Sequence, residues 1–231
     1  MPRLGIPYVN RLLEVEIPDR NLIFDEAPRN VPPASDFQGT LRAALSHPIG
    51  TPRLQHLVRS GQKVIIISDD NTRLTPTKQI IPVLLDFLNQ SGVPDRDIQI
   101  IIASGTHRAM TDAELDEKYG APVMSRVKIL PHRYKDPESQ VEYGVTKRGT
   151  RILVNRHVSE ADFRISVGNI IPHHPTGWSA APSLCCLEWA AKKLSRRCTF
   201  SAHDIRAWVL WIRRCVARWK ILPSGSVWIS S

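Results

Sequence analysis

The strongest constraint on the fold is a unit that occurs twice between residues 64 and 120. Val64-Ile65-Ile66-Ile67-Ser68 is an unbroken β-branched run, preceded by Gly61 and followed by the polar loop Asp69-Asp70-Asn71-Thr72-Arg73-Leu74-Thr75-Pro76. A short continuous apolar run bounded by turn residues reads as a strand covered on both faces, as in a parallel sheet. Thr77 to Gln90 then carries Ile80, Ile81, Leu84, Leu85 and Leu88 near helical spacing and stops at Ser91-Gly92. The second unit has the strand Ile98 to Ala103, the loop Ser104-Gly105-Thr106-His107-Arg108, and a helix that opens on Thr111-Asp112-Ala113-Glu114. That opening has capping-box spacing, and the helix runs to about Tyr119-Gly120. Repeated strand–loop–helix units imply parallel crossovers. The expected fold is therefore α/β, with a mostly parallel, Rossmann-like sheet and flanking helices. Val127 to Leu130, Arg151 to Asn155 and Phe163 to Val167 are further expected strands. Phe37 to Leu45 and Pro52 to Arg59 are expected short helices, after an extended lead-in marked by Val31-Pro32-Pro33.

Ligands in such sheets sit at the carboxyl ends of the strands. Three loops rich in chemistry follow strands: 69–76, 104–108 and 168–179. They are expected to converge on one edge. Arg73 can fork onto a carboxylate or phosphate, and Asp70 can bind a ribose hydroxyl or orient that arginine. The plainer reading is a capping aspartate and a surface arginine. His107 follows a glycine that permits close backbone approach, which suits a general base; an exposed histidine with no role is the alternative. The third loop holds Pro172-His173-His174-Pro175-Thr176-Gly177-Trp178-Ser179. Adjacent histidines in an extended segment point to opposite sides, so at most one of them faces a given site. The pair lacks a third local ligand, and no metal ligand is assigned. No Walker motif, G-x-G-x-x-G or G-x-S-x-G is present.

Charge divides the chain. The formal net charge is +9, but residues 1–178 hold 22 Lys/Arg against 20 Asp/Glu, and residues 179–231 hold 9 against 2. The basic balance therefore gives no reason to assign nucleic acid to the main domain. All four cysteines (Cys185, Cys186, Cys198, Cys215) and five of the six tryptophans fall after residue 178. The cysteine spacings fit no usual zinc pattern. No apolar run reaches the ~18 residues of a membrane span. Met1-Pro2-Arg3-Leu4-Gly5 is not followed by a signal-like core, which predicts a cytoplasmic chain.

Taken in order, Asp70-Asn71-Thr72-Arg73-Leu74-Thr75-Pro76, Ala103-Ser104-Gly105-Thr106-His107-Arg108 with Met110-Thr111 and Glu114-Leu115, and Gly168 through Ser179 resemble the nickel-dependent lactate racemase family. The resemblance covers residues 1–179, the N-terminal part of a longer family chain. It implies an isomerase that racemises or epimerises a small 2-hydroxy acid such as lactate. It further implies a nickel-pincer nucleotide cofactor, which takes a hydride from the substrate α-carbon and returns it to the other face. By the same resemblance His107 and His173 are the two catalytic bases, one per enantiomer. Arg73 binds the substrate carboxylate, and Asp70, Asn71, Thr72 and Arg73 contact the cofactor.

The resemblance stops after Ser179. Family chains continue into Gly-Gly-x-Lys, whose lysine carries the cofactor covalently. Here Ala180-Ala181-Pro182-Ser183 follows, with Ser183 in the lysine's place, so the covalent anchor is absent. A back-translation of Ala180 to Ser195 read one base out of register gives Gly-Gly-Ala-Lys-Ser-Leu-Leu-Pro and onward, which looks like the family continuation. Residues 180–231 are therefore expected to be a non-homologous tail from an out-of-frame reading, irregular or a poorly packed helix, and the chain as written is expected to be inactive or nearly so. The competing reading makes residues 1–178 a non-catalytic nucleotide- or anion-binding module. Its tail, Ala202 to Leu222, would then be a basic amphipathic helix for a membrane surface or a partner.

Overall fold

The computed structural model describes residues 2–8, 11–24, 32–105, 107–145, 151–173, 177–179 and 226–230. The chain divides into two compact units, Met1–Phe37 and Gln38–Ser231. In the first, β1 (Arg3–Tyr8) and β2 (Arg11–Glu16) form an antiparallel hairpin. Arg3 Nε donates to Glu16 Oε1 across it at 2.9 Å. No element was expected over these residues from the sequence. The alternation of the hairpin is blurred because Leu12 and Leu13 are both exposed.

The second unit opens with α1 (Phe37–Ser46) and α2 (Leu54–Leu57). The latter is one turn only, where a helix over 52–59 was expected. Then come β3 (Val64–Ser68), α3 (Thr77–Gln90), β4 (Ile98–Ile102), α4 (Asp112–Tyr119), α5 (Ala121–Met124) and β5 (Lys128–Pro131). A hairpin of β6 (Gln140–Val145) and β7 (Arg151–Asn155) follows, then α6 (Arg156–Glu160) and β8 (Phe163–Gly168). The main sheet has the order β8-β3-β4-β5, and all of these neighbours are parallel. Every residue of β3 and β8 is buried; β3 accordingly shows no alternation, whereas β8 alternates apolar with polar residues and buries Arg164 and Ser166 as well. One face of the sheet packs Ile65, Ile67, Ile101, Ala103 and Leu130 with Val158 and Ala161 from the segment around α6. β7 pairs with β6, not with the main sheet.

One feature differs from expectation near the end of the chain. Residues 168–179 are not all loop: β9 (Ile171–His173) and β10 (Gly177–Ser179) form a short antiparallel hairpin. Of residues 180–231 only Ser226–Ser230 is described; it forms β11, parallel to β8. Val227, Trp228 and Ile229 have high strand propensity, and the outer edge of β8 offers unpaired backbone groups. The amphipathic segment 202–222 and all four cysteines lie outside the described residues.

Candidate functional site

The sheet order places a switch point between β3 and β8, because the chain moves from β3 through β4 to β5 and then returns to the other side of β3. A crevice opens at the carboxyl end of such a point. Ser68, the last residue of β3, is in register with Val167 of β8 and with Ile102 of β4. The loops that leave these three strands therefore start side by side, as the sequence led us to expect.

Two of those loops meet directly. Asp70 Oδ2 is 2.6 Å from His107 Nδ1. Asp70 also accepts from the Thr72 backbone N–H at 3.0 Å and from the Thr72 hydroxyl. Burial alone would push the Asp70 carboxyl up, but the hydrogen bonds from Thr72 and His107 outweigh it and hold the group below its ordinary value. Asp70 is thus ionised and acceptor-only, so the His107 nitrogen facing it carries the proton. The other ring nitrogen, Nε2, makes no bond to Asp70 and belongs to a side chain that is 53% exposed, while that of Asp70 is 5% exposed. A buried carboxylate that orients an accessible imidazole is the arrangement an acid–base histidine needs. Gly105 lies two residues earlier at φ 58°, a left-handed conformation that favours glycine.

The neighbouring carboxylate behaves differently. Asp69 is buried, accepts from the Thr75 hydroxyl, and pairs with Lys118 Nζ at 2.9 Å. Desolvation pushes its carboxyl up, against the pull of Lys118 and Thr75. Lys118 Nζ also donates to the Arg73 carbonyl at 2.7 Å and lies 3.5 Å from the Thr75 carbonyl. Arg73 is half-buried, and its backbone N–H donates to Asp70 O at 3.2 Å. On the rim, Glu114 accepts a two-pronged grip from Arg108 at 2.6 and 2.7 Å and a bond from Asn71 Nδ2 at 2.9 Å. It also closes the capping box with Thr111. The Arg108 hydrogen bonds, with those from Thr111, bring the Glu114 carboxyl down to about 2.

The structure therefore gathers Asp70, Asn71, Thr72, Arg73 and His107 on one edge. His173 ends β9, five residues beyond β8, and its backbone pairs with Gly177. His174 and Thr176 lie outside the described residues. Sequence reasoning did not single out Asp69, Lys118 or Tyr119, whose hydroxyl approaches Asp69 O at 3.4 Å. The available signal was the Glu114-x-x-x-Lys118 spacing, which puts both side chains on one face of a helix. Among the described residues no cluster of three or more metal-ligating side chains occurs, and no helix is long and apolar enough to cross a membrane.

The lactate racemase of Lactiplantibacillus plantarum is 35% identical over 185 residues, 78% of this chain and 42% of that protein. The lactate racemase of Thermoanaerobacterium thermosaccharolyticum is 29% identical over 181 residues, again 42% of its length. The chain thus spans less than half the length of the curated relatives it matches. The structure of the T. thermosaccharolyticum lactate racemase apoprotein superposes with a TM-score of 0.66 at 27% identity, covering 84% of this chain and 45% of that one. A Thermotoga maritima protein shares the fold at 20% identity, with a TM-score of 0.67, covering 84% of this chain and 50% of that one. The model of the lactate racemase N-terminal domain matches residues 8–182, and the chain belongs to that family.

Proposed function

We propose that residues 1–179 carry the acid–base half of a 2-hydroxy acid racemase site, with lactate as the substrate. The observation that carries this reading is the Asp70–His107 pair at the switch-point edge. A base must take the hydroxyl proton of the substrate as its α-carbon loses hydride, and a protonated group on the other side must supply one when hydride comes back to the opposite face, the two recovering their states through solvent. The exposed Nε2 of His107 suits that task for one enantiomer. His173, on the loop that follows the adjacent strand, is the proposed base for the other. Arg73 is the proposed partner of the substrate carboxylate, since a guanidinium matches a carboxylate with two parallel bonds. The reaction is proposed to run in the cytoplasm.

The nickel-pincer nucleotide implied by the motifs would supply the hydride acceptor. Asp70, Asn71, Thr72 and Arg73 sit on the correct edge for non-covalent contact with a nucleotide, and Asn71 and Thr72 are exposed there. Covalent attachment does not fit: Ser183 has a hydroxyl where an amine is required. We therefore assign proton transfer and carboxylate binding to this chain, and propose that as written it does not turn over. We further propose that residues 180–231 arise from a one-base shift near codon 180.

The test is direct. Sequencing the gene and inserting one base near codon 180 should restore Gly-Gly-Ala-Lys. The restored protein, supplied with cofactor, should interconvert D- and L-lactate, and His107→Gln or His173→Gln should abolish that. Unchanged turnover in either variant would refute the base assignments. The serine at 183 also favours a second reading, a nucleotide- or anion-binding module without catalysis. Saturable binding of a mononucleotide by a frame-restored protein that never racemises lactate would support it.

A further inference from the structure

Helix α4 contributes nothing to the proposed chemistry, yet both loops of the site are fastened to it. Glu114 and Lys118 stand four residues apart on one helical face. Glu114 holds Arg108 from the loop after β4 and Asn71 from the loop after β3. Lys118 reaches inside the curl of the 69–76 loop. Its ammonium meets the Asp69 carboxylate at 2.9 Å, the Arg73 carbonyl at 2.7 Å and the Thr75 carbonyl at 3.5 Å. The side chain is 8% exposed and that of Asp69 is 2% exposed. An ammonium has three donors and no acceptor, so it organises a ring of oxygens as a small bound cation would. The first residue of α3, directly after the loop, also bonds to this helix: the Thr77 hydroxyl donates to the Lys118 carbonyl at 2.7 Å. Desolvating two charges largely offsets their attraction, so such a pair adds little net stability; its best-supported use is to fix a geometry.

We propose that Lys118, with Glu114 one turn before it, is a positioning residue that holds the 69–76 loop so that Asp70 meets His107 and Arg73 is presented at the same edge. The inference rests on the racemase reading for what the pair is for, but its readout needs no turnover. In the full chain with uniform 15N labelling, NMR should show His107 as a single tautomer with a low-field Nδ1 proton bonded to Asp70. Lys118→Met removes the ammonium and keeps the stem. The variant should keep the amide pattern of β3 and β4, lose the low-field proton, and show both tautomers. Lys128→Met, at an exposed lysine on β5, should change nothing. If the lone Asp69 charge unfolds Lys118→Met, the double variant Asp69→Asn/Lys118→Met removes both buried charges and is read in the same way. A folded single or double variant with the His107 signal intact would overturn the proposal. Loss of that signal in a family whose frame-restored member does not racemise lactate would leave the positioning role standing and remove the racemase reading.

Discussion

Asp70 and His107 are 37 positions apart in sequence and 2.6 Å apart in space, joined through Oδ2 and Nδ1. The bond decides which imidazole nitrogen is free. Asp70→Asn keeps the shape but replaces an obligate acceptor with a group that also donates. We expect a loss of about 100- to 10,000-fold in lactate racemisation by a frame-restored protein, with the fold retained. Racemisation followed by polarimetry, beside a circular dichroism spectrum, checks this; activity within a few-fold of the parent would contradict it.

The same pair sets an acid limb on stability. The folded Asp70 carboxyl lies below its ordinary value of 3.8. A depressed carboxylate contributes stability that is present above the unfolded value and lost as pH falls through the folded one. Urea unfolding between pH 5 and pH 2 should show a steeper loss in the parent chain than in Asp70→Asn.

His132 works in a different window. It follows β5, is buried, and its Nδ1 lies 3.1 Å from Asn155 Nδ2. Burial brings the imidazole down from 6.5 to about 4. The unfolded chain then binds the extra proton between those values, so stability is full above about pH 6.5 and declines toward pH 4. A shift of that size corresponds to about 3 kcal/mol. His132→Phe should flatten this part of the profile, and an unchanged slope would show that another group titrates there.

Removing one partner of the Asp69–Lys118 pair leaves a buried charge uncompensated. Lys118→Met should cost about 3 kcal/mol or more, and the added Asp69→Asn should recover much of it. Thermal unfolding of the single and double variants measures the difference; simple additivity would mean that the two groups do not interact.

Helix α4 also depends on its first turn. The Thr111 hydroxyl accepts from the Glu114 backbone N–H at 3.3 Å, and the Glu114 carboxylate accepts from the Thr111 N–H at 2.8 Å. Thr111→Ala should lower stability by about 1 kcal/mol, read from the urea midpoint.

Much of this architecture was legible from periodicity. β3, α3, β4 and α4 were readable because buried strands and amphipathic helices carry strong, long patterns. The convergence of loops 69–76 and 104–108 followed from parallel connectivity. The β1–β2 and β9–β10 hairpins were not readable: their strands are short, and β9 is interrupted by Pro172. The Asp69–Lys118 pair was hidden because its partners lie on different elements, and an aspartate next to an aspartate gives no hint which is buried. The composition of residues 179–231 gave no sign of β11, since a ladder needs only a few residues of strand propensity.

That last pairing has a consequence for handling the protein. The backbone edge of β8 is adhesive toward main chain as such, because its ladder bonds involve no side-chain recognition. A short segment of strand propensity is enough to dock there. Preparations trimmed at residue 179 would bare that ribbon of amides and carbonyls, and intermolecular strand exchange would be the first form of misassembly to look for.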